Sequence, residues 1–165
     1  MLEILLDEMR GSFTNVPPAV AAARLTAALV LGGLIGIERE RRGKPAGLRT
    51  HMLISVAAAL FIIVSQQLGS LPFGSDGEIR IDPLRLIEAV TAGVAFLAAG
   101  IIFTSGGQVR NITTGASMWL SGAVGLACGS GQIPLAFMAS VITVAIVGLV
   151  GAAERRMSKG DPEED

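Results

Sequence analysis

Five consecutive residues, Glu38-Arg39-Glu40-Arg41-Arg42, form the densest run of chemistry-capable side chains in the sequence. Glu38 and Arg42 stand four apart, the spacing of a helical ion pair. Three guanidiniums offer planar, two-pronged grips on carboxylate or phosphate that lysines would not. A compact turn follows, Gly43-Lys44-Pro45-Ala46-Gly47, and then Arg49, Thr50 and His51. Arginines alone would serve as a topology signal. The two glutamates, Pro45 and Gly47 point further, to a structured tip that docks on the segment from Gly106 to Thr114, on lipid phosphate, or on a partner. In that opposing segment Arg110, Asn111, Thr113 and Thr114 are the candidate contacts.

Three more charges, Arg24, Arg85 and Glu88, interrupt apolar runs. A charge in hydrocarbon costs about 2.5 to 3.5 kcal/mol on the insertion scale, so each is expected to face protein or water and to find a partner. A structural ion pair of Glu88 with Arg24 or Arg85 is the plain expectation, and an outward-facing polar vestibule for a cation or proton is the sharper one. A lone carboxylate beside arginines makes a poor divalent-cation site, because such cations want several oxygens. Catalytic arrangements are not expected. Ser117 lacks the second glycine of a nucleophile elbow, Gly43-Lys44 lacks the preceding glycine of a P-loop, and Gly106-Gly107 has no dinucleotide-binding context. His51 reads as an interfacial polar residue and Cys128 as a small packing residue. With one histidine and one cysteine, no metal site or disulfide framework is expected, and no cofactor.

The elements that must position these groups are membrane helices. Of 165 residues, 51% are hydrophobic and only 16% charged, with a mean hydropathy of +0.61; a soluble domain carries about 25% charge. The fold class is all-α, a polytopic transmembrane bundle of about five spans. Residues 1–18 form a tail or short interfacial helix, 19–153 the membrane domain and 154–165 a charged tail. The acidic start MLEILLDEMR argues against a cleaved signal, while Leu2, Leu5, Leu6 and Met9 share one helical face. The spans are read as Ala19–Ile37, Thr50–Leu68, Leu84–Thr104, Thr113–Cys128 and Ile133–Ala153, with loops at Leu71–Asp82 and around Ser105–Asn111. Span four is short and rich in Gly, Ser and Thr, so a re-entrant segment is its alternative.

Counting basic residues orients the chain. With the N-terminus outside and the C-terminus inside, most of the 13 basic residues fall on the cytoplasmic side, leaving Arg10, Arg24, Arg80 and Arg85 outside. The net charge of −1 and the segregation of charge speak against a nucleic-acid partner. Small residues recur at helical spacing in every span, with Gly32, Gly36, Gly93, Gly100 and Gly125 as candidate packing positions. Packing within one protomer is the plain expectation for these faces, and a homodimer seam along Gly32 and Gly36 the sharper one.

The segment RLTAALVLGGLIGIERERRGKPAGLRTHMLISVAAALF, followed by AGVAFLAAGIIF and GGQVRNITTGASMWLSGAVGLACGSG, resembles the membrane domain of the MgtC/SapB family of bacterial inner-membrane proteins. The resemblance covers about Arg24 to Val150, and its GLIGIERERRGKPAGLRTH portion is highly specific. It implies roughly five spans, an inner-membrane location, and a link to magnesium homeostasis, growth at low magnesium and intracellular survival. For some members it also implies restraint of the F-type ATP synthase. Many members read GxGFLGAG in span three, where this chain has alanines at two of the glycine positions, Ala95 and Ala98 on either side of Phe96-Leu97. Virulence-type members add a soluble domain after the last span, and activities that need it do not carry over. Two functions follow as expectations: a non-enzymatic regulator that binds a membrane partner, and a small transporter or channel for Mg2+ or another solute. Membrane lipid and a second copy of the chain are the other expected partners.

Overall fold

The computed structural model describes residues 15–69 and 82–151, together with Met1, Glu3 and Phe13. The expected surface helix over Leu2 to Met9, nearly all of the loop at 71–82 and the charged tail at 154–165 lie outside the described residues.

Five helices follow one another: α1 (Pro18–Arg41), α2 (Leu48–Leu68), α3 (Pro83–Ile101), α4 (Ile112–Gly129) and α5 (Ile133–Ala145), the last running on into a π-helical turn at Ile146–Val150. Proline at the first or second position starts α1, α3 and α5, where its missing N–H leaves no orphan and its fixed φ suits the helix. Asp82 caps α3 by accepting from the Leu84 amide. The ends of α1 and α4 share one closure. After α1, Gly43 at φ +61° lets the Lys44 amide reach Arg39 O and its own amide reach Glu40 O; after α4, Gly131 at φ +86° does the same with Gln132 to Ala127 O and itself to Cys128 O. Both are Schellman closures, which satisfy the last free carbonyls of a helix.

Between α3 and α4 the expected loop is instead a short antiparallel hairpin, β1 (Phe103–Ser105) with β2 (Gln108–Arg110), Thr104 facing Val109. Gly106 and Gly107 both take positive φ, the requirement of a two-residue hairpin turn that continues the strands' twist. The apolar run to Thr104 therefore does not stay helical: α3 stops at Ile101 and the rest becomes strand.

The helices alternate in direction. Arg39 near the end of α1 bonds Thr114 at the start of α4, while Arg24 near the start of α1 bonds Gly129 at the end of α4. Being tied to α1 at both ends, α4 runs alongside it from one end of the bundle to the other. One end of the bundle thus carries the α1–α2 turn, the β-hairpin and the π-helical turn. The other carries the start of α1, the end of α2 and the α4–α5 turn. Helices α1, α2, α3 and Ile133–Val150 are long and apolar enough to cross a membrane.

The core lies around α4, whose glycines let backbones meet. A Cβ on Gly125 would stand 2.1 Å from Ser55 O, and one on Gly129 2.6 Å from Ala59 O. Gly32 and Gly36 are spent in the same way, since a Cβ there would meet Ser55 Cβ at 2.6 Å and Leu48 Cα at 2.7 Å. The expected homodimer seam on Gly32 and Gly36 is therefore corrected: that face is closed by α2 of the same chain. Gly93 and Gly100, by contrast, look onto open space. Ala28, Leu31, Ile35, Ala59, Val124 and Cys128 fill one apolar cluster, and Ile54, Ala58, Val90, Val94 and Met118 another.

Candidate functional site

The last turn of α1 spreads its side chains over three other helices. Arg39, only 2% exposed, donates from Nη2 to Thr114 Oγ1 at 2.7 Å. The expected contact from tip to opposing segment is thus made at the first turn of α4 and not at the hairpin. Glu40 turns the other way, and its Oε2 accepts from the Leu48 amide at 2.7 Å. That places a carboxylate at the N-terminus of α2, where free amides and the positive end of the helix dipole favour it. Gly47 makes room for it, because a Cβ there would lie 2.6 Å from Glu40 Oε2. Arg42 pairs with Glu38 and donates from Nη2 to Gly148 O at 2.6 Å, taking up a carbonyl of the π-helical turn in α5.

Behind Arg39 lies a sealed polar knot. His51 is wholly buried, which corrects the expectation of an interfacial residue. Its Nδ1 lies 2.8 Å from Gly47 O and its Nε2 3.0 Å from Ser117 Oγ. A carbonyl can only accept, so Nδ1 carries a proton and donates to Gly47 O, while Nε2 and the Ser117 hydroxyl share the second bond. That hydroxyl also reaches Thr114 O at 2.8 Å, and with one proton it serves one acceptor at a time. Two further hydroxyls one turn deeper, Ser55 and Ser121, are buried with no hydrogen-bond partner among the described residues, as are Arg39 Nε and Glu38 Oε2. The histidine and Ser117 have the spacing of a base and a nucleophile. Both are sealed, at 0% and 3% exposure, and what the pair does in this geometry is tie α2 to α4.

The remaining expected residues fall elsewhere. Arg41, Arg49, Arg110 and Thr113 are exposed at the same end of the bundle, and Thr50 is half-buried there. Asn111, in the left-handed region at φ 65°, donates from Nδ2 to Ile101 O and closes the base of the hairpin. Arg24 donates from Nη1 both to Gln66 Oε1 at 3.0 Å and to Gly129 O at 2.9 Å. It is a clamp on α2 and on the negative end of α4. The expected pairing of Glu88 with Arg24 or Arg85 does not form. Glu88 and Arg85 point away from the bundle on α3, and among the described residues Arg85 has only Asp82, at 3.8 Å. Sequence reasoning did not single out Ser55, Ser121 or Gln66 as functional residues and set Ser117 aside. The signal for two of them was present, since Ser117, Ser121 and Gly125 recur every four residues on the face of α4 that meets α2.

Alternating apolar helices closed at one end by an arginine, histidine and hydroxyl knot define a small polytopic membrane protein. The chain belongs to the MgtC family, whose model matches residues 25–156 and so takes in the tip, the hairpin and all of α4. Protein MgtC of Brucella abortus (strain 2308) is 43% identical over 134 residues, 81% of this chain and 52% of that protein. The relative named "Putative magnesium transporter YhiD" in Escherichia coli (strain K12) is 40% identical over 124 residues, 75% of this chain and 57% of its own. Protein MgtC of Salmonella typhimurium (strain LT2) is 37% identical over 135 residues, 82% of this chain and 54% of that protein. The chain thus spans little more than half the length of these curated relatives. No solved structure matches it.

Proposed function

We propose that the chain is a non-enzymatic regulatory protein of the bacterial inner membrane, linked to magnesium homeostasis or membrane energetics, that acts by binding a membrane partner. The observation that carries this reading is the backbone-tight interior. Glycines of α1 and α4 close the space that a solute path would use. The described carboxylates of the tip are engaged, Glu38 by Arg42 and Glu40 by the start of α2, and Glu88 faces outward. The exposed arginines at the tip end, Arg41, Arg49 and Arg110, suit lipid phosphate or an acidic partner surface. In this reading the N-terminus lies outside and the tip lies in the cytoplasm, as the basic residues favour. An inner-membrane complex such as the F-type ATP synthase is the kind of partner the resemblance implies.

The name of the E. coli relative YhiD favours a second reading, transport of magnesium, for which the buried hydroxyls of Ser55, Ser117 and Ser121 would be the polar lining. Reconstitution in liposomes loaded with a magnesium-sensitive dye separates the two. The regulatory reading expects no saturable flux from protein that still supports growth at low magnesium in a deletion strain. Robust saturable flux, lost when Ser121 is replaced by Val, would reverse the ranking.

A further inference from the structure

We propose that the outer flank of the α1–α2 pair holds an anionic phospholipid, its phosphate gripped by Arg41 and Arg49 and an acyl chain laid along the apolar stripes beneath them. The inference narrows the reading above, in which these arginines suit lipid phosphate or an acidic partner, and rests on it only in placing them at a membrane boundary. At 100° per residue, Val30, Leu34, Ile37 and Arg41 fall within about 60° of one another on α1, and all are exposed. On α2, Arg49, Leu53 and Leu60 fall within about 40° of one another and are exposed too. Between the two stripes runs the seam where Met52 packs on Gly33. Both stripes lie on the side of that seam away from α4, to which Arg39 and His51 turn. Each arginine therefore stands one turn, about 6 Å, above an apolar residue open to lipid: Arg41 above Ile37, 39% exposed, and Arg49 above Leu53, 71% exposed.

Charge and depth together commit the flank to an amphiphile. Both helices are long and apolar enough to cross a membrane, so the arginines at their joined ends stand at headgroup level and the stripes below them in hydrocarbon. The carboxylates close by on α1 are engaged, Glu38 by Arg42 and Glu40 by the Leu48 amide. Among the described residues no carboxylate forms an ion pair with Arg41 or Arg49, and Lys44 adds a third exposed positive charge in the turn between them. A soluble acidic partner would meet the arginines and leave Val30, Leu34 and Leu53 uncovered. A phospholipid supplies an anion and an apolar chain in the order the flank presents, and guanidiniums take phosphate in a two-pronged grip. The rival anions of this chain at the same end are Glu154, Asp161, Glu163, Glu164 and Asp165, outside the described residues, and they form a separate arm of the test.

The test titrates the full chain in nonionic detergent with dioleoyl phosphatidylglycerol, or with phosphatidylcholine of the same chains, and counts bound lipid by native mass spectrometry. Phosphatidylglycerol is expected to bind about tenfold more tightly or better. Arg41→Gln and Arg49→Gln should each lose about fivefold, the effect of one basic group at an anionic surface, and together remove the preference. Leu53→Asn should weaken both lipids alike, since it lies under the chain and not the head. Arg85→Gln, which removes the same charge at the other end of the bundle, should stay within about twofold of wild type, as should a variant with the five tail acids changed to amides. Inorganic phosphate in large excess should leave the lipid in place. The substituted side chains are exposed, and unchanged melting temperatures in lipid-free detergent confirm folding. Equal binding of the two lipids, unaffected arginine variants, an Arg85→Gln loss as large as theirs, displacement by phosphate, or a tenfold gain on neutralising the tail would each overturn the proposal; the last would give the arginines to the tail. The regulatory reading is tested apart from this, by flux and growth, so either can fail while the other stands.

Discussion

The bond from Arg39 to Thr114 should be the strongest single tie in the bundle, and a double-mutant cycle can measure it. Neutral hydrogen bonds between membrane helices contribute about 0.6 kcal/mol on average, with a ceiling near 1.7. A bond to a charged group contributes about 1.5 to 3 kcal/mol. Arg39 is 2% exposed and Thr114 1%, and Arg39 Nε has no partner among the described residues, so the 2.7 Å bond carries much of what offsets the buried charge. Thr114→Val keeps the shape and removes the acceptor. It is expected to destabilise by about 2 kcal/mol, and the cycle with Arg39→Met should give a coupling energy of about 2 kcal/mol. Reversible unfolding in mixed micelles, followed by circular dichroism, supplies all four corners. A coupling of about 0.6 kcal/mol or less would place this bond among the neutral ones and refute the reasoning, because the charge would then contribute nothing.

The two kinds of glycine should answer in opposite directions. Gly125→Ala drives a Cβ to 2.1 Å from Ser55 O and should destabilise by about 1 to 3 kcal/mol through overpacking; Gly93→Ala meets nothing and should stabilise by about 0.8 kcal/mol through helix propensity, both read from melting temperature. Glu40→Ala frees the Leu48 amide and should cost about 1 kcal/mol, as loss of a cap does, with Glu40→Gln recovering part of it; an equal loss in both variants would show that the cap is not the cause. Single cysteines at Lys44 and Gln108 should react with an impermeant maleimide from one side of the membrane and one at Gln132 from the other. Native Cys128 is buried and should stay silent, so labelling of all three from one side would refute the alternation of the helices.

Helix positions were largely legible because prolines and the lengths of apolar runs mark them. Span one, expected at Ala19, begins at Pro18, and span five begins at Ile133 as read. Which face of each helix turns inward was not legible, for a physical reason. Lipid is as apolar as a protein core, so the contrast that reveals the buried face of a soluble helix is absent. Hence Gly36 and Gly93 look alike in sequence, though one is closed by Leu48 and the other is open. Glu88 was expected, on the cost of its charge, to pair with Arg24 or Arg85, yet it points away from the bundle. The tip was legible as a structured element from its mixed charge. Its internal assignments were not, because His51 meets Ser117 across 66 positions and no local pattern encodes that pairing.

One turn of α1 holds α4 through Arg39, α2 through Glu40 and α5 through Arg42. Mechanically it is a hub with three spokes, and the four helices it joins are pinned to one another at that end. Helix α3 has no spoke. Among the described residues its side-chain hydrogen bonds return to its own turn, Thr91 to Ile87 O and Glu88 O. Its tie at this end is Asn111 at the foot of the hairpin. Beyond that tie helix α3 is held by side-chain packing, Val94 against Gly122 and Ile102 against Gly115 of α4, so a pull on the hub is carried to it through van der Waals contact and not through a polar tie to the hub.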